Sequence, residues 1–62
     1  MKVGIAIDEW KLPIFERHLS QAGYAYTTKR LGRNGLLLTV ETDDAAALGV
    51  VVENANRTAR AN

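Results

Sequence analysis

The side chains that could do chemistry are few, and none of them falls in a catalytic or ligand-binding motif. His18 is the only histidine, and the residues around it supply neither the orienting partner nor the pocket that a general base needs. Asp8 and Glu9 follow a predicted strand, and Asp43 and Asp44 precede a predicted helix, where carboxylates commonly act as caps. The chain has no cysteine, and a single histidine cannot build a zinc or other transition-metal site without several carboxylates beside it. We therefore expect no enzyme activity, no cofactor and no metal site.

The length and composition indicate a single small α+β domain that spans residues 1–62. A hydrophobic content of 47% and a charged content of 24% are those of a globular chain. A domain of this size buries only about 60% of the surface that its unfolded chain exposes, so its core is small. Because disulfides and metal ions are excluded as supports, self-association is the expected one. No signal peptide or membrane-spanning run is evident, which predicts a cytoplasmic protein that does not enter a membrane.

The first half of the chain has the pattern of a strand followed by a helix. Apolar and polar residues alternate over residues 1–7, which predicts a strand with one buried face. Apolar residues at helical spacing predict a helix over residues 10–22, with Pro13 in its first turn and Gly23 as its left-handed C-terminal cap. We expect Trp10 to pack over the core, with an exposed anchor for binding as the alternative.

The middle of the chain predicts a β-hairpin. If Asn34 and Gly35 form a two-residue turn, Leu31 lies opposite Leu38. This register places the even-numbered residues of the second strand on the sheet face that carries Leu37. A longer loop over residues 32–35 would change the register.

The last segment predicts a second helix over residues 44–57, opened by the carboxylates that precede it. Its weak point is residues 49–52, where a glycine and three valines lower helix propensity, so a fourth strand is the alternative there. We expect residues 58–62 to fray.

These elements give a βαββα domain. A right-handed crossover predicts a three-stranded antiparallel or mixed sheet in the order 1-3-2, with both helices on one face. The element order, together with residues 36–44 leading into an Ala-rich helix, resembles a ferredoxin-like domain without its final strand, and ACT-type regulatory domains are similar. That resemblance implies, as one alternative function, a small-ligand sensor with its ligand near Asp8 and Glu9. The chain also resembles small uncharacterised phage or bacterial accessory proteins in size and composition.

The face that the helices leave open, and the free edge of the first strand, are the surfaces available for function. We expect a non-enzymatic protein-interaction module that forms a homodimer or binds a larger protein. The open face is slightly favoured over the edge, although an ordinary solvated sheet face would have the same composition. The predicted interface residues are Gly4, Ala6, Tyr24, Tyr26, Leu37 and Thr39.

Nucleic-acid binding is an alternative of a different class. Tyr24 and Tyr26 would stack on bases, and three basic residues would contact phosphates: Lys29, Arg30 and Arg33. This alternative is weaker because the net charge is only +1 and the tyrosines fall on an edge strand.

Overall fold

The computed structural model describes residues 1–61, which form three strands and two helices in the predicted order. The elements are β1 over Lys2–Asp8, a 3₁₀ turn over Glu9–Lys11, α1 over Leu12–Gln21, β2 over Tyr26–Leu31, β3 over Gly35–Glu41 and α2 over Ala45–Ala61. The predicted α+β class and element order are confirmed, and the topology is compatible with a ferredoxin-like fold.

The sheet is antiparallel throughout and has the predicted order, with β3 between β1 and β2. Leu38 at the centre of β3 lies opposite Ile5 of β1 and Thr28 of β2. Because alternate residues of a strand point to opposite faces, the apolar series of β1 and β3 forms one continuous surface. That surface is the one the helices cover.

The hydrophobic core lies between this surface and the two helices. Its buried members are Ile5, Ile7, Phe15, Leu19, Leu36, Leu38, Val40, Leu48 and Ala55. Burying a side chain such as Phe15 or Leu38 contributes about 1.5–3 kcal/mol to folding. The core therefore draws on all of the main elements except β2, whose residues are mostly exposed.

The C-terminal end of α1 forms a Schellman motif, as the position of Gly23 predicts. Gly23 has a φ of 84°, and its N–H donates to the Ser20 carbonyl oxygen at 3.1 Å. The N–H of Tyr24 donates to the Leu19 carbonyl oxygen at 2.9 Å, so the chain turns back toward the sheet at this point.

The second helix is longer than predicted. Asp44 caps it, since its Oδ1 accepts a hydrogen bond from the Ala47 N–H at 3.0 Å. Residues 49–52 are helical, so the alternative of a fourth strand there is wrong. The expected fraying is also wrong for residues 58–61, because Ala59 is buried and holds the last turns on the core; Asn62 lies outside the described residues.

The predicted hairpin register is wrong by three residues. Leu31 lies opposite Gly35 instead of Leu38, and the loop consists of the three residues between them. Gly32, with a φ of 64°, supplies the left-handed conformation that the tight loop requires. A Cβ on Gly35 would lie 2.7 Å from the Leu31 carbonyl oxygen, so the close approach of the two strands needs glycine there. A shift by an odd number of residues exchanges the two faces of β2.

Two contacts hold the loop against the end of β1. The Glu9 N–H donates to the Asn34 carbonyl oxygen at 2.7 Å, which extends the β1–β3 ladder beyond the strands. The Arg30 guanidinium donates to both carboxylate oxygens of Glu9 at 3.3 Å and to the Arg33 carbonyl oxygen at 3.0 Å. The Arg30 contacts place this side chain of β2 on the same side of the sheet as the helices, as the observed register does.

Trp10 does not pack over the core. Its side chain is 59% exposed, and the Lys11 Nζ lies 5.5 Å from the ring centroid. Residues 9–11 form a separate 3₁₀ turn, so α1 begins at Leu12 and the indole is carried outside the apolar stripe of the helix.

Candidate protein interface

The face of the sheet away from the helices carries small and medium side chains. Four of the predicted interface residues lie there: Gly4, Ala6, Leu37 and Thr39. Gly4 lies opposite Thr39 and Ala6 lies opposite Leu37. A Cβ on Gly4 would be 3.2 Å from the Leu37 Cδ1, so the absence of a side chain at Gly4 leaves room for the leucine to lie over β1.

The two predicted interface tyrosines do not lie on this face. The Tyr26 hydroxyl donates to the Glu16 Oε2 at 2.8 Å, which places its ring on the helix side of the sheet. Tyr24 packs against the hydrophobic core. Leu31, which the predicted register assigned to the core, lies on the open face instead and is 41% exposed. The longer loop over residues 32–35 would place Leu31 opposite Leu36, a shift of two residues that keeps the predicted faces, so neither hairpin that the sequence offered predicted this exchange.

Tyr26 connects β2 to α1. Its hydrogen bond to the Glu16 carboxylate, together with partial burial and the negative charge of that group, raises the pKa of Tyr26 above the usual value of 10.0. The neutral phenol is therefore the form that the fold favours, and Tyr26 has a structural role in place of the predicted contact role.

The three predicted phosphate-binding residues do not form one surface. Lys29 lies on the open face opposite Leu37. Arg30 is bound to Glu9, and this hydrogen-bonded ion pair lowers the pKa of Glu9 and raises that of Arg30. Arg33 lies in the hairpin loop. Only part of the predicted basic cluster is thus available on the face where bases would have to stack, and the tyrosines are absent from that face.

His18 also has a structural partner. The His18 Nε2 lies within hydrogen-bond distance of the Thr58 Oγ1, at 3.1 Å, and the same hydroxyl lies 3.0 Å from the Asn54 carbonyl oxygen. The imidazole therefore joins α1 to α2. Asp44 caps α2 and Glu9 pairs with Arg30, whereas the expected cap at Asp8 is wrong, because its side chain makes no cap hydrogen bond to the 3₁₀ turn that follows it.

The outer edge of β1 carries free backbone groups. The Met1 carbonyl oxygen accepts from the Thr42 N–H at 2.9 Å, and the Glu9 N–H donates to Asn34 at the other end of the ladder. Because backbone groups alternate in direction along an antiparallel strand, the odd-numbered residues of β1 point toward β3. The residues that direct their N–H and C=O outward are Lys2, Gly4, Ala6 and Asp8. Within residues 1–61 no strand pairs with this edge.

The outer edge of β2 differs in its charge. By the same alternation its outward residues are Tyr26, Thr28 and Arg30. Lys29 and Arg30 place two consecutive cations in the strand, and charged side chains on an edge oppose pairing with another strand. Residues 3–7 of β1 contain neither a charge nor a proline, so this edge has no such protection.

The chain matches no protein-family model, and comparisons with curated proteins and with solved structures find no match. No helix in residues 1–61 is long and apolar enough to cross a membrane. No group of three or more His, Asp or Glu side chains in that part of the chain is placed to hold a metal ion.

Proposed function

We propose that this chain is a non-enzymatic protein-interaction module that binds by strand addition at the outer edge of β1 and forms a homodimer. The observation that supports this function most strongly is the contrast between the two sheet edges. β1 offers outward backbone groups on four residues with no charge in the interior of the strand, whereas β2 is interrupted by Lys29 and Arg30.

Strand addition would give each outward backbone group a partner. A net hydrogen bond of this kind contributes about 1 kcal/mol, and the outward N–H and C=O of Gly4 and Ala6 lie in the middle of the strand, where both can pair. A domain of 62 residues has a small core of its own, so stabilisation from a partner is a large fraction of its total stability.

The open face supports an extended contact beside this edge. Gly4 and Ala6 belong both to the open face and to the edge, and Leu37 and Leu31 add apolar area further along the sheet. Without the tyrosines, the face alone offers less apolar surface than the predicted register implied. We therefore propose that the primary contact is at the outer edge of β1, and that the adjoining open face adds to it.

The proposed module is a cytosolic accessory protein. Its likeness to ACT-type domains is one of topology, since Glu9 forms an ion pair with Arg30 and no buried side-chain N or O atom among residues 1–61 lacks a hydrogen-bond partner. The non-enzymatic reading is supported by the structural roles of His18, Glu9 and Asp44.

A pair of proline variants tests the proposal. Ala6→Pro removes an outward N–H from β1 and leaves the β1–β3 ladder intact, and Thr28→Pro makes the same change at the edge of β2. In sedimentation equilibrium we expect the wild type and Thr28→Pro to dimerise, and Ala6→Pro to remain monomeric.

Circular dichroism on each variant checks that it is folded. If proline distorts β1, a synthetic chain with N-methyl-alanine at position 6 removes the same donor without fixing φ. A wild-type chain that stays monomeric, or a dimer that persists in the folded Ala6 variants, would overturn the proposal.

A further inference from the structure

We infer that the strand added to β1 is β1 of a second copy of this chain, paired antiparallel about a two-fold axis at Ile5, with Lys2 of each copy opposite Asp8 of the other. The inference rests on the proposed function and specifies its partner and register. It follows from the symmetry of the strand, the direction of its backbone groups and the position of its two charges.

Symmetry restricts the registers that are available. A two-fold axis perpendicular to the sheet keeps the helix layers of both copies on the same side. Residues that lie opposite each other across the boundary between the two β1 strands, which we call the seam, must therefore belong to the same face of the sheet. The axis therefore passes beside a residue of β1. The strand has seven residues with Ile5 at the centre, so an axis at Ile5 pairs the strand over its full length.

The backbone agrees with this register. Lys2 lies opposite Asp8 and Gly4 opposite Ala6, so that every outward-directed residue faces another one, as hydrogen-bonded pairs require. On the helix side Val3 lies opposite Ile7 in a pair without backbone hydrogen bonds, where side chains approach more closely. Val3 is only half-buried in one copy and gains an apolar neighbour in the dimer.

The charges select this register over its neighbours. Lys2 and Asp8 are exposed on the open face, and neither belongs to an ion pair within residues 1–61. An axis at Gly4 would place Lys2 opposite Ala6, and an axis at Ala6 would place Asp8 opposite Gly4. Only the axis at Ile5 brings unlike charges together, and it does so twice in each dimer.

The other edge lacks this complementarity. β2 contains Lys29 and Arg30 and no carboxylate. Glu9 pairs with Arg30, so a symmetric pairing of two β2 strands would bring two Lys29 side chains together with no carboxylate in either strand to balance them. Charge complementarity therefore assigns β1 of a second copy as the occupant of the β1 edge.

Two single charge reversals test the register. Lys2→Glu and Asp8→Lys each place like charges opposite each other at both ends of the seam, so each variant alone should have a dimer dissociation constant raised about tenfold or more at low salt. An equimolar mixture of the two variants restores unlike charges at both ends, and we expect it to form a heterodimer close to wild-type affinity. The measurements are sedimentation velocity for the affinity and native mass spectrometry for the composition of the dimer.

Lys29→Glu and Asp43→Lys are the matched controls, because they make the same charge changes on exposed residues away from β1 and should leave the affinity unchanged. Added salt should reduce the difference between the variants and the wild type. The register would be overturned if the equimolar mixture dimerised no more tightly than either variant alone, or if the control substitutions weakened the dimer as strongly as Lys2→Glu and Asp8→Lys.

The outcome separates the register from the proposed function. If the charge variants dimerise like the wild type while Ala6→Pro is monomeric, the edge is the interface and the register is wrong. If the dimer persists in the Ala6→Pro and N-methyl-alanine variants, the β1 edge is not the interface, and the proposed register is wrong as well.

Discussion

Replacing Gly49 with alanine should stabilise this protein. Gly49 is exposed in the interior of α2, and a Cβ built on it meets nothing within 4 Å apart from the helix itself. Alanine restricts the unfolded chain and favours the helix, which together are worth about 1 kcal/mol. For a domain of this size the gain corresponds to a rise in melting temperature of about 4–8 °C.

Thermal unfolding followed by far-ultraviolet circular dichroism measures this effect. All samples must have the same protein concentration, since dimerisation makes the midpoint depend on concentration. Gly35→Ala is the matched control with the opposite sign, because its Cβ would lie 2.7 Å from the Leu31 carbonyl oxygen and force the hairpin apart. A fall in the midpoint for Gly49→Ala would refute the helical environment of residues 49–52, where a strand was the alternative.

Two pH titrations test the contacts that hold β2. In a Tyr24→Phe background, spectrophotometric titration should show that the pKa of Tyr26 lies above 10.0, and Glu16→Gln should lower that pKa. Because folding raises the pKa of Tyr26, its contribution to folding stability is present below pH 10.0 and is lost as the pH rises through the pKa of the folded state. An unchanged titration in Glu16→Gln would contradict the hydrogen bond. In carbon-detected NMR, Glu9 should titrate below 4.5, so its stabilisation is present above 4.5 and lost as pH falls through the folded value. Arg30→Gln should raise this pKa toward 4.5, and a Glu9 pKa unaffected by that change would contradict the ion pair.

The parts of the fold that depend on local pattern could be predicted from the sequence. The alternation around Ile5 predicts β1 to within a residue at each end. Gly23 and Asp44 predict the end of α1 and the start of α2, since left-handed and capping conformations favour those residue types whatever surrounds them. The element order then restricts the sheet order to the one observed.

The register of β2 could not be predicted in the same way. Both faces of this strand mix polar and apolar residues, and as an edge strand it is mostly exposed, so burial does not select one face. The side-chain contact that ties β2 to its neighbours in this register joins Arg30 to Glu9, which lie far apart in sequence. The face assignment of Tyr26 and Leu31 failed for this reason.

Tertiary contacts also override propensity in two other segments. Residues 49–52 are helical because α2 places Leu48 and Ala55 in the core on either side of them. Trp10 is exposed because the 3₁₀ turn over Glu9–Lys11 separates it from α1. The apolar character of Trp10 did not by itself indicate whether α1 would begin before or after it.

Residue-resolved amide hydrogen exchange at dimer-forming concentration tests edge pairing most directly, because it needs no substitution. The N–H groups of Gly4 and Ala6 point out of the β1 edge, and those of Thr28 and Arg30 point out of the β2 edge. Pairing at β1 predicts strong protection of Gly4 and Ala6 that is lost on dilution, while Thr28 and Arg30 exchange quickly at every concentration. Exchange at Gly4 and Ala6 as fast as at Thr28 and Arg30, in a sample shown to be dimeric, would contradict it.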